Sequence, residues 1–198
     1  PEGKALLISD DPFRDFNVLT KHFKPFEQAG AIVSPSSKIG KGTVIQPNAF
    51  IGNNVIIGEN CLIHANVTIY DHTVIGDNVI IVNGVLLGGH VTIGNYAIIG
   101  GLSAVHQFIS IGDHAMISGG SLLRKDVPPF TKAAKEPLSY VGINSVGLRR
   151  RGFTSEKIKE IQEIYRILYQ KNYNTTQALG IIEAEMEATP ERDEIILF

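Results

Sequence analysis

The chain is poor in sulfur and lacks tryptophan: one cysteine, Cys61, and two methionines stand among 198 residues. A single thiol forms no intramolecular disulfide, which excludes a disulfide framework and fits a reducing compartment. Eighteen basic side chains against twenty acidic ones give a formal charge of −2. The basic excess that marks generic nucleic-acid binding is therefore missing. No apolar run approaches the roughly 18 residues of a membrane span. The opening PEGKALLISDD lacks the basic-then-apolar form of a signal peptide and an initiator Met. A trimmed, cytoplasmic chain is the expectation. What remains is 43% apolar and 19% charged, the proportions of a core-forming protein. The length suits one domain, or one plus a small appendage.

What is present in abundance is a repeat of six. From Val33 through Ile39, Ile45, Ile51 and onward to Ile117 and Leu123, every sixth residue is aliphatic, sixteen hexads without an insertion. Gly often follows, as at Gly52, Gly76, Gly88, Gly94 and Gly112, and then commonly Asn or Asp. The fifth position is small or β-branched, as at Thr43, Val55, Cys61, Val79, Ala97 and Ala115. A period of six with Gly-Asn/Asp punctuation predicts short strands separated by corners. Three hexads make a triangular coil, and coils stack at roughly 4.8 Å, giving a column about 25 Å tall. The aliphatic position fills the prism, and the small one lets successive layers stack without overpacking. Spacing does not set the hand. Hexad repeats of this kind resemble left-handed parallel β-helices, an exception to the right-handed crossover rule. The expected fold is mostly β: a left-handed parallel β-helix over 31–130, a C-terminal α-helical domain over 131–198, and a short α/β flank over 1–30.

In the flank, a strand is expected up to Asp10-Asp11-Pro12, then an amphipathic helix with Phe13, Phe16, Leu19 and Phe23 on one face. Pro128-Pro129 is expected to close the column, followed by a loop to about Ser145. Thr154-Ser155-Glu156 predicts a helix cap, ahead of a stripe of Ile158, Ile161, Ile164, Tyr165 and Leu168. Asn174-Thr175-Thr176 starts another helix, and Pro190 punctuates its end. Residues 149–171 are basic and 183–194 acidic. This is either a pair of solvated helix faces or a docking surface for an acidic carrier or a diphosphate.

Residues 88–130, containing AVHQF and KDVPPF, and then GINSVGLRRRGF (142–153) resemble the acyl-ACP–UDP-N-acetylglucosamine O-acyltransferases of lipid A biosynthesis. The resemblance runs from about Val79 to the end. It implies a homotrimer with active sites between subunits, a 3-hydroxyacyl donor on acyl carrier protein, and UDP-N-acetylglucosamine as acceptor. No cofactor beyond the donor's acyl-phosphopantetheine is implied. The front, LLISDDPFRDFNVLTKHF and GENCLIHANVTIYDHTVIGDNVII, is more similar to UDP-3-O-acylglucosamine N-acyltransferase. The two likenesses meet at GDNVII, so a fusion of two β-helices in register is expected.

In the first family a His-Asp pair supplies a general base for the sugar 3-hydroxyl, and a Gly N–H steadies the oxyanion. Counted in register, the oxyanion position falls on Gly89, the base on Asp71 and its orienting acid on His72. The order is inverted. A carboxylate with an ordinary pKa is a poor base for an alcohol, and neighbours on an extended chain point apart. Catalysis is therefore expected to be impaired. Asp71-His72 is then a solvated repeat corner, a weak surrogate base at His72, or a pair that only orients ligand. The likeness implies substrate contacts for His90, His106 and Gln107, a nucleotide grip by Asn144, Arg150 and Arg151, and an acyl-chain end at Gly119. Val146 replaces a carboxylate that some relatives use for the uracil. His64 and His114 match nothing assignable and are expected as surface corners. Stacking by one coil places His72 under His90 and aligns Asp71, Gly89 and Gln107. Alternatives are a non-catalytic chimeric trimeric scaffold or a zinc enzyme of the γ-carbonic anhydrase type. The zinc reading needs three His, and the sequence offers only the stacked His72 and His90; no metal is expected.

Overall fold

The structure, a computed structural model, describes residues 8–23 and 30–198. Two units separate by their internal contacts, Pro1–Gly30 and Ala31–Phe198. In the first, helix α1 runs Pro12–Phe23. Asp11 caps it by accepting the Arg14 N–H at 3.0 Å. Its stripe of Phe13, Phe16, Leu19 and Phe23 is exposed. The strand expected ahead of Asp10 falls mainly outside the described residues, and Ile8–Ser9 are irregular.

In the second unit, fifteen two-residue strands, β1 (Lys38–Ile39) to β15 (Leu122–Leu123), form three parallel sheets in which each strand pairs with the third one on. Thr92 lies opposite Val74 on one side and Ser110 on the other, so each coil holds three hexads. This is a left-handed parallel β-solenoid with C-terminal helices. Ile51, Ile63, Ile69, Ile81, Leu87 and Ile99 fill its axis with no exposure at all. Polar residues in the small slot bond inward: Thr73 Oγ1 donates to the Gly88 carbonyl at 3.2 Å and Cys61 Sγ to that of Gly76 at 3.1 Å. The thiol is buried, and burial raises its pKa.

Each corner turns on one residue in the left-handed region, repeating every six residues from Asn48 (φ 63°) to His114 (φ 57°). Asn tolerates that conformation, whereas bulky side chains rarely adopt it. The front of the column uses Asn48, Asn54, Asn60 and Asn66. Further on, the slot holds His72, Asn78, Gly84, His90, Tyr96, Leu102, Phe108 and His114, six of them bulky. Strained bulky residues of this kind cluster at functional places.

The end of the column differs from expectation. The prolines do not close it, because β16 (Thr131–Ala134) adds to the sheet beyond Met116–Ile117 and then pairs antiparallel with β17 (Ser139–Ile143). The last coil is two residues short: Ile117 meets Ala133 and Ile111 meets Val127. A hairpin and helix α2 (Ser145–Arg150) replace the expected loop. α3 (Ser155–Gln170) starts at Thr154, whose side chain accepts the Lys157 N–H. α4 (Thr175–Glu185) carries an Asn174/Gln177 capping box. Pro190 starts a further helix, α5 (Pro190–Leu197), instead of ending one; there it occupies a first-turn position whose missing N–H costs nothing. Ile158, Ile161, Ile164 and Tyr165 bury against Leu148, Ala178, Ile182 and Ile195.

Part of the basic charge on these helices is met locally. Lys157 pairs with Glu160 and Glu191, and Arg166 and Lys171 with Glu163.

Candidate functional site

One edge of the column carries Asn53, Asp71, Gly89 and Gln107 in succession. Asp71 Oδ1 accepts the Asn53 backbone N–H at 2.7 Å, and Oδ2 faces the Asn53 side-chain amide at 3.5 Å. The carboxylate is thus turned toward the preceding coil. The next edge shows what this means. Asp77 accepts from the Glu59 N–H at 2.7 Å, Asn95 from Asp77 at 2.9 Å, and Asp113 from Asn95 at 2.8 Å. Asp71 makes the same corner clasp, a charge-assisted bond of roughly 1.5–3 kcal/mol. On its own edge the ladder then stops. Gly89 has no side chain to offer, and Gln107 makes none of these bonds. Among the described residues, the Asp71 and Gly89 N–H groups have no protein acceptor. Successive open backbone donors on one ledge can hold an oxyanion.

The position beside this ledge carries a ring stack. His72 and His90 lie 4.8 Å apart at 15°, and His90 and Phe108 4.9 Å apart at 19°. The centroid spacing equals the coil rise. Parallel planes set the ring nitrogens side by side instead of converging them on one point. His90 is exposed and His72 half-buried. His106, exposed, sits with Nδ1 3.1 Å from the Gln107 carbonyl. The expected alignment of Asp71, Gly89, Gln107, His72 and His90 is therefore present as geometry.

The other candidates spread out. Gly119 lies on a different edge, stacked on Gly101: a Cβ there would meet the Gly101 carbonyl oxygen at 3.1 Å. Glycines on these two coils leave this stretch of the edge without side chains, above Asn83 on the coil before. The Arg150-Arg151 pair divides. Arg150 is exposed, while Arg151 lies along the column, donating to the Tyr96 carbonyl at 2.7 Å with its guanidinium 5.5 Å from the Tyr96 ring centre. Asn144 is buried; its oxygen accepts the Gly147 N–H and its amide donates to the His114 carbonyl at 2.9 Å. Val146 is exposed. His64 stands at a corner as expected, its Nδ1 3.1 Å from Gln46 Oε1.

His114 corrects the expectation of a solvated corner. Its ring lies between Tyr96 (4.9 Å) and Phe130 (5.5 Å), edge-on to Phe153 (5.1 Å), with Nδ1 3.3 Å from an Arg151 nitrogen. Tyr96, Phe130 and Phe153 were not among the residues singled out from sequence. The available signal was a bulky residue in the slot that the front coils give to Asn. Burial and the Arg151 charge press the His114 pKa from 6.5 to about 4, while Asp113 and Glu191 oppose that shift. Nearby, burial with Asp113 and Glu191 raises Glu194 from 4.5 to about 7.

These two shifts act oppositely on stability. His114 binds its proton later than in the unfolded chain, so its contribution is whole above pH 6.5 and falls as pH drops toward 4. Glu194 binds its proton earlier, so its contribution is whole below pH 4.5 and falls as pH rises toward 7. Between about pH 4.5 and 6.5 the slopes oppose each other. Glu194→Gln should leave a stability that rises with pH in that window, and His114→Gln one that falls. Denaturant titrations at several pH values check both signs.

The arrangement defines a hexad-repeat β-helix with an open backbone ledge, joined to a small helical domain. Residues 28–128, just over half of the chain, match the family model described as the GMPPB C-terminal domain, and the chain belongs to that family. Residues 126–198 match the model described as UDP N-acetylglucosamine O-acyltransferase, Domain 2. The acyl-[acyl-carrier-protein]–UDP-N-acetylglucosamine O-acyltransferase of Myxococcus xanthus is 40% identical over 97 residues, 49% of this chain and 38% of that protein. Among solved structures, LpxA from Acinetobacter baumannii superposes with a TM-score of 0.63 at 26% identity, over 85% of this chain and 94% of that one. LpxA, a UDP-N-acetylglucosamine acyltransferase from Bacteroides fragilis, gives 0.60 at 29% identity, over 87% and 96%. Homology to these acyltransferases therefore holds over part of the chain.

Proposed function

We propose that this chain is a lipid A-type acyltransferase-like protein whose chemistry is impaired at one position. The reaction would carry a 3-hydroxyacyl group from acyl carrier protein to the 3-hydroxyl of UDP-N-acetylglucosamine. The hydroxyl oxygen bonds to the thioester carbonyl carbon, the C–S bond breaks, and the hydroxyl proton ends on the departing thiol. In this reading the Gly89 N–H would meet the oxyanion, with His90, His106 and Gln107 as substrate contacts, Gly119 at the acyl end, and Arg150 with Asn144 and Arg151 toward the nucleotide. The single observation carrying the impairment is the direction of Asp71. In the base position stands a carboxylate already engaged by Asn53, a coil away from Gly89. His72 is held in a ring stack. The deciding experiment is acyl transfer by this chain against an Asp71→His variant.

A second reading, a non-catalytic trimeric scaffold built by fusing two β-helices, draws support from another feature. One outer face of the column shows an unbroken apolar row, Val44, Leu62, Ile80, Ile98 and Met116, aligned coil on coil. A sheet face of that kind suits burial against other copies. The expected solution mass is that of three chains. A well-folded monomer, read by sedimentation, would remove both the scaffold and any site shared between subunits. Both readings keep the protein in the cytoplasm, with UDP-N-acetylglucosamine and acyl carrier protein as the molecules bound.

A further inference from the structure

Away from the ledge, a cleft of about 650 Å³ opens where the last coil, the β16–β17 hairpin and the end of α3 meet. None of the ledge residues lines it. Its walls are Val127, Pro128, Ala133, Leu138 and the rings of Tyr140 and Tyr169. That volume and mainly apolar wall are those of small-molecule sites.

Some polar groups at its rim are committed, Thr131 to the Pro128 carbonyl and Ser139 to that of Pro137, and others are not. Among the described residues, the Tyr140 and Tyr169 hydroxyls have no hydrogen-bond partner, and Lys125 has no ion pair. Tyr165, the third ring of this cluster, is different: its hydroxyl donates to the Pro129 carbonyl at 2.6 Å. Neither hydroxyl is a buried orphan, and Tyr169 is 51% exposed, so both are open to an incoming ligand. Burial raises the pKa of both phenols, so at neutral pH they are O–H donors. Asp126, at the same rim, is already occupied by the Ser110 N–H at 2.8 Å.

The cleft thus presents apolar walls, two neutral donors and one unpaired cation. We propose that it binds a small monocarboxylate with an apolar body, the carboxylate received by Lys125 and the two tyrosine hydroxyls. Lys125 can only donate and both phenols can donate beside it, and an ionised carboxylate is the simplest head that accepts from all three. An alcohol of the same body would leave the Lys125 charge unmatched.

The probe is decanoate, titrated calorimetrically into the intact chain, with 1-decanol as the uncharged control. Saturable decanoate binding is expected, with decanol at least about tenfold weaker, the scale of one charge-assisted hydrogen bond. Lys125→Ala and Tyr169→Phe should each weaken decanoate by about the same factor. Lys125 and Tyr169 are exposed and lie outside the packed core, and a circular dichroism melt confirms folding. Leu138→Trp narrows the cleft and adds a fluorophore to a chain that has no tryptophan. It should abolish binding if folded, or report it by quenching. Three results would overturn the proposal: no saturable binding, equal binding of decanol, or decanoate affinity that responds to Gly119→Ala and not to Tyr169→Phe. The last would put the ligand on the glycine edge of the column and leave the transferase reading intact.

Discussion

Asp71→His should raise acyl transfer to UDP-N-acetylglucosamine by at least about 100-fold over the unaltered chain, the lower range for a positioned general base. The physical ground is a competition for one side chain. In the unaltered protein, Asp71 spends its carboxylate on the Asn53 N–H at 2.7 Å. A carboxylate in that bond is committed to the preceding coil and turned from the Gly89 ledge. An imidazole titrates near neutrality and does not reproduce the two-oxygen clasp on Asn53, so its ring is free to face the next coil. The exchange costs the clasp, and the melting temperature should fall while the rate rises. The double exchange Asp71→His/His72→Asp sets a carboxylate beside the new imidazole and should exceed the single variant, because that carboxylate can orient the ring. A steady-state assay with an acyl-carrier donor measures all three. Turnover by the unaltered chain at about 1 per second or faster, an ordinary enzyme rate, would remove the claim of impairment. A flat response across the three proteins would show that the loss does not lie at Asp71 and His72.

Ile81→Ala should destabilise the column by about 2–5 kcal/mol, while Ile39→Ala should cost less than about 1 kcal/mol. Both residues occupy the same hexad slot and look equivalent in sequence. Ile81 is wholly buried, with Ile63 below and Ile99 above in register. Ile39 sits in the first coil and remains 41% exposed. Truncation at 81 opens a cavity between fixed layers, since the backbone ladder prevents the coils from closing over it. Truncation at 39 opens no enclosed volume. Guanidinium midpoints at fixed protein concentration, with m unchanged, give the comparison directly. Equal losses at both positions would mean that something covers the first coil.

The column was legible because its signal is redundant. A two-residue strand such as Val74–Ile75 carries no information alone, but sixteen aliphatic residues in one beat leave a single stacking solution. The caps at Thr154 and Asn174 were legible because a side chain that accepts its own helix's N–H acts locally. The hairpin Thr131–Ile143 was not. Its first strand exists through pairing with Met116–Ile117, a contact made only once the shortened coil is in place. Pro190 was read as an end and proved a beginning, since proline suits both and only the Thr189 cap decides. At the candidate site, spacing aligned Asp71, Gly89 and Gln107 correctly, because register is a matter of counting.

Spacing alone set the prism, its layer repeat and which residues share an edge, because a closed polygon of hexads admits one registration. Folding in three dimensions decided where each side chain turned. It sent the Asp71 carboxylate back to Asn53, laid Arg151 against Tyr96 while Arg150 stayed in solvent, and sealed His114 between two aromatic rings. Those outcomes depend on which partner lies nearest across coils and helices far apart in the chain, and no local pattern encodes that distance.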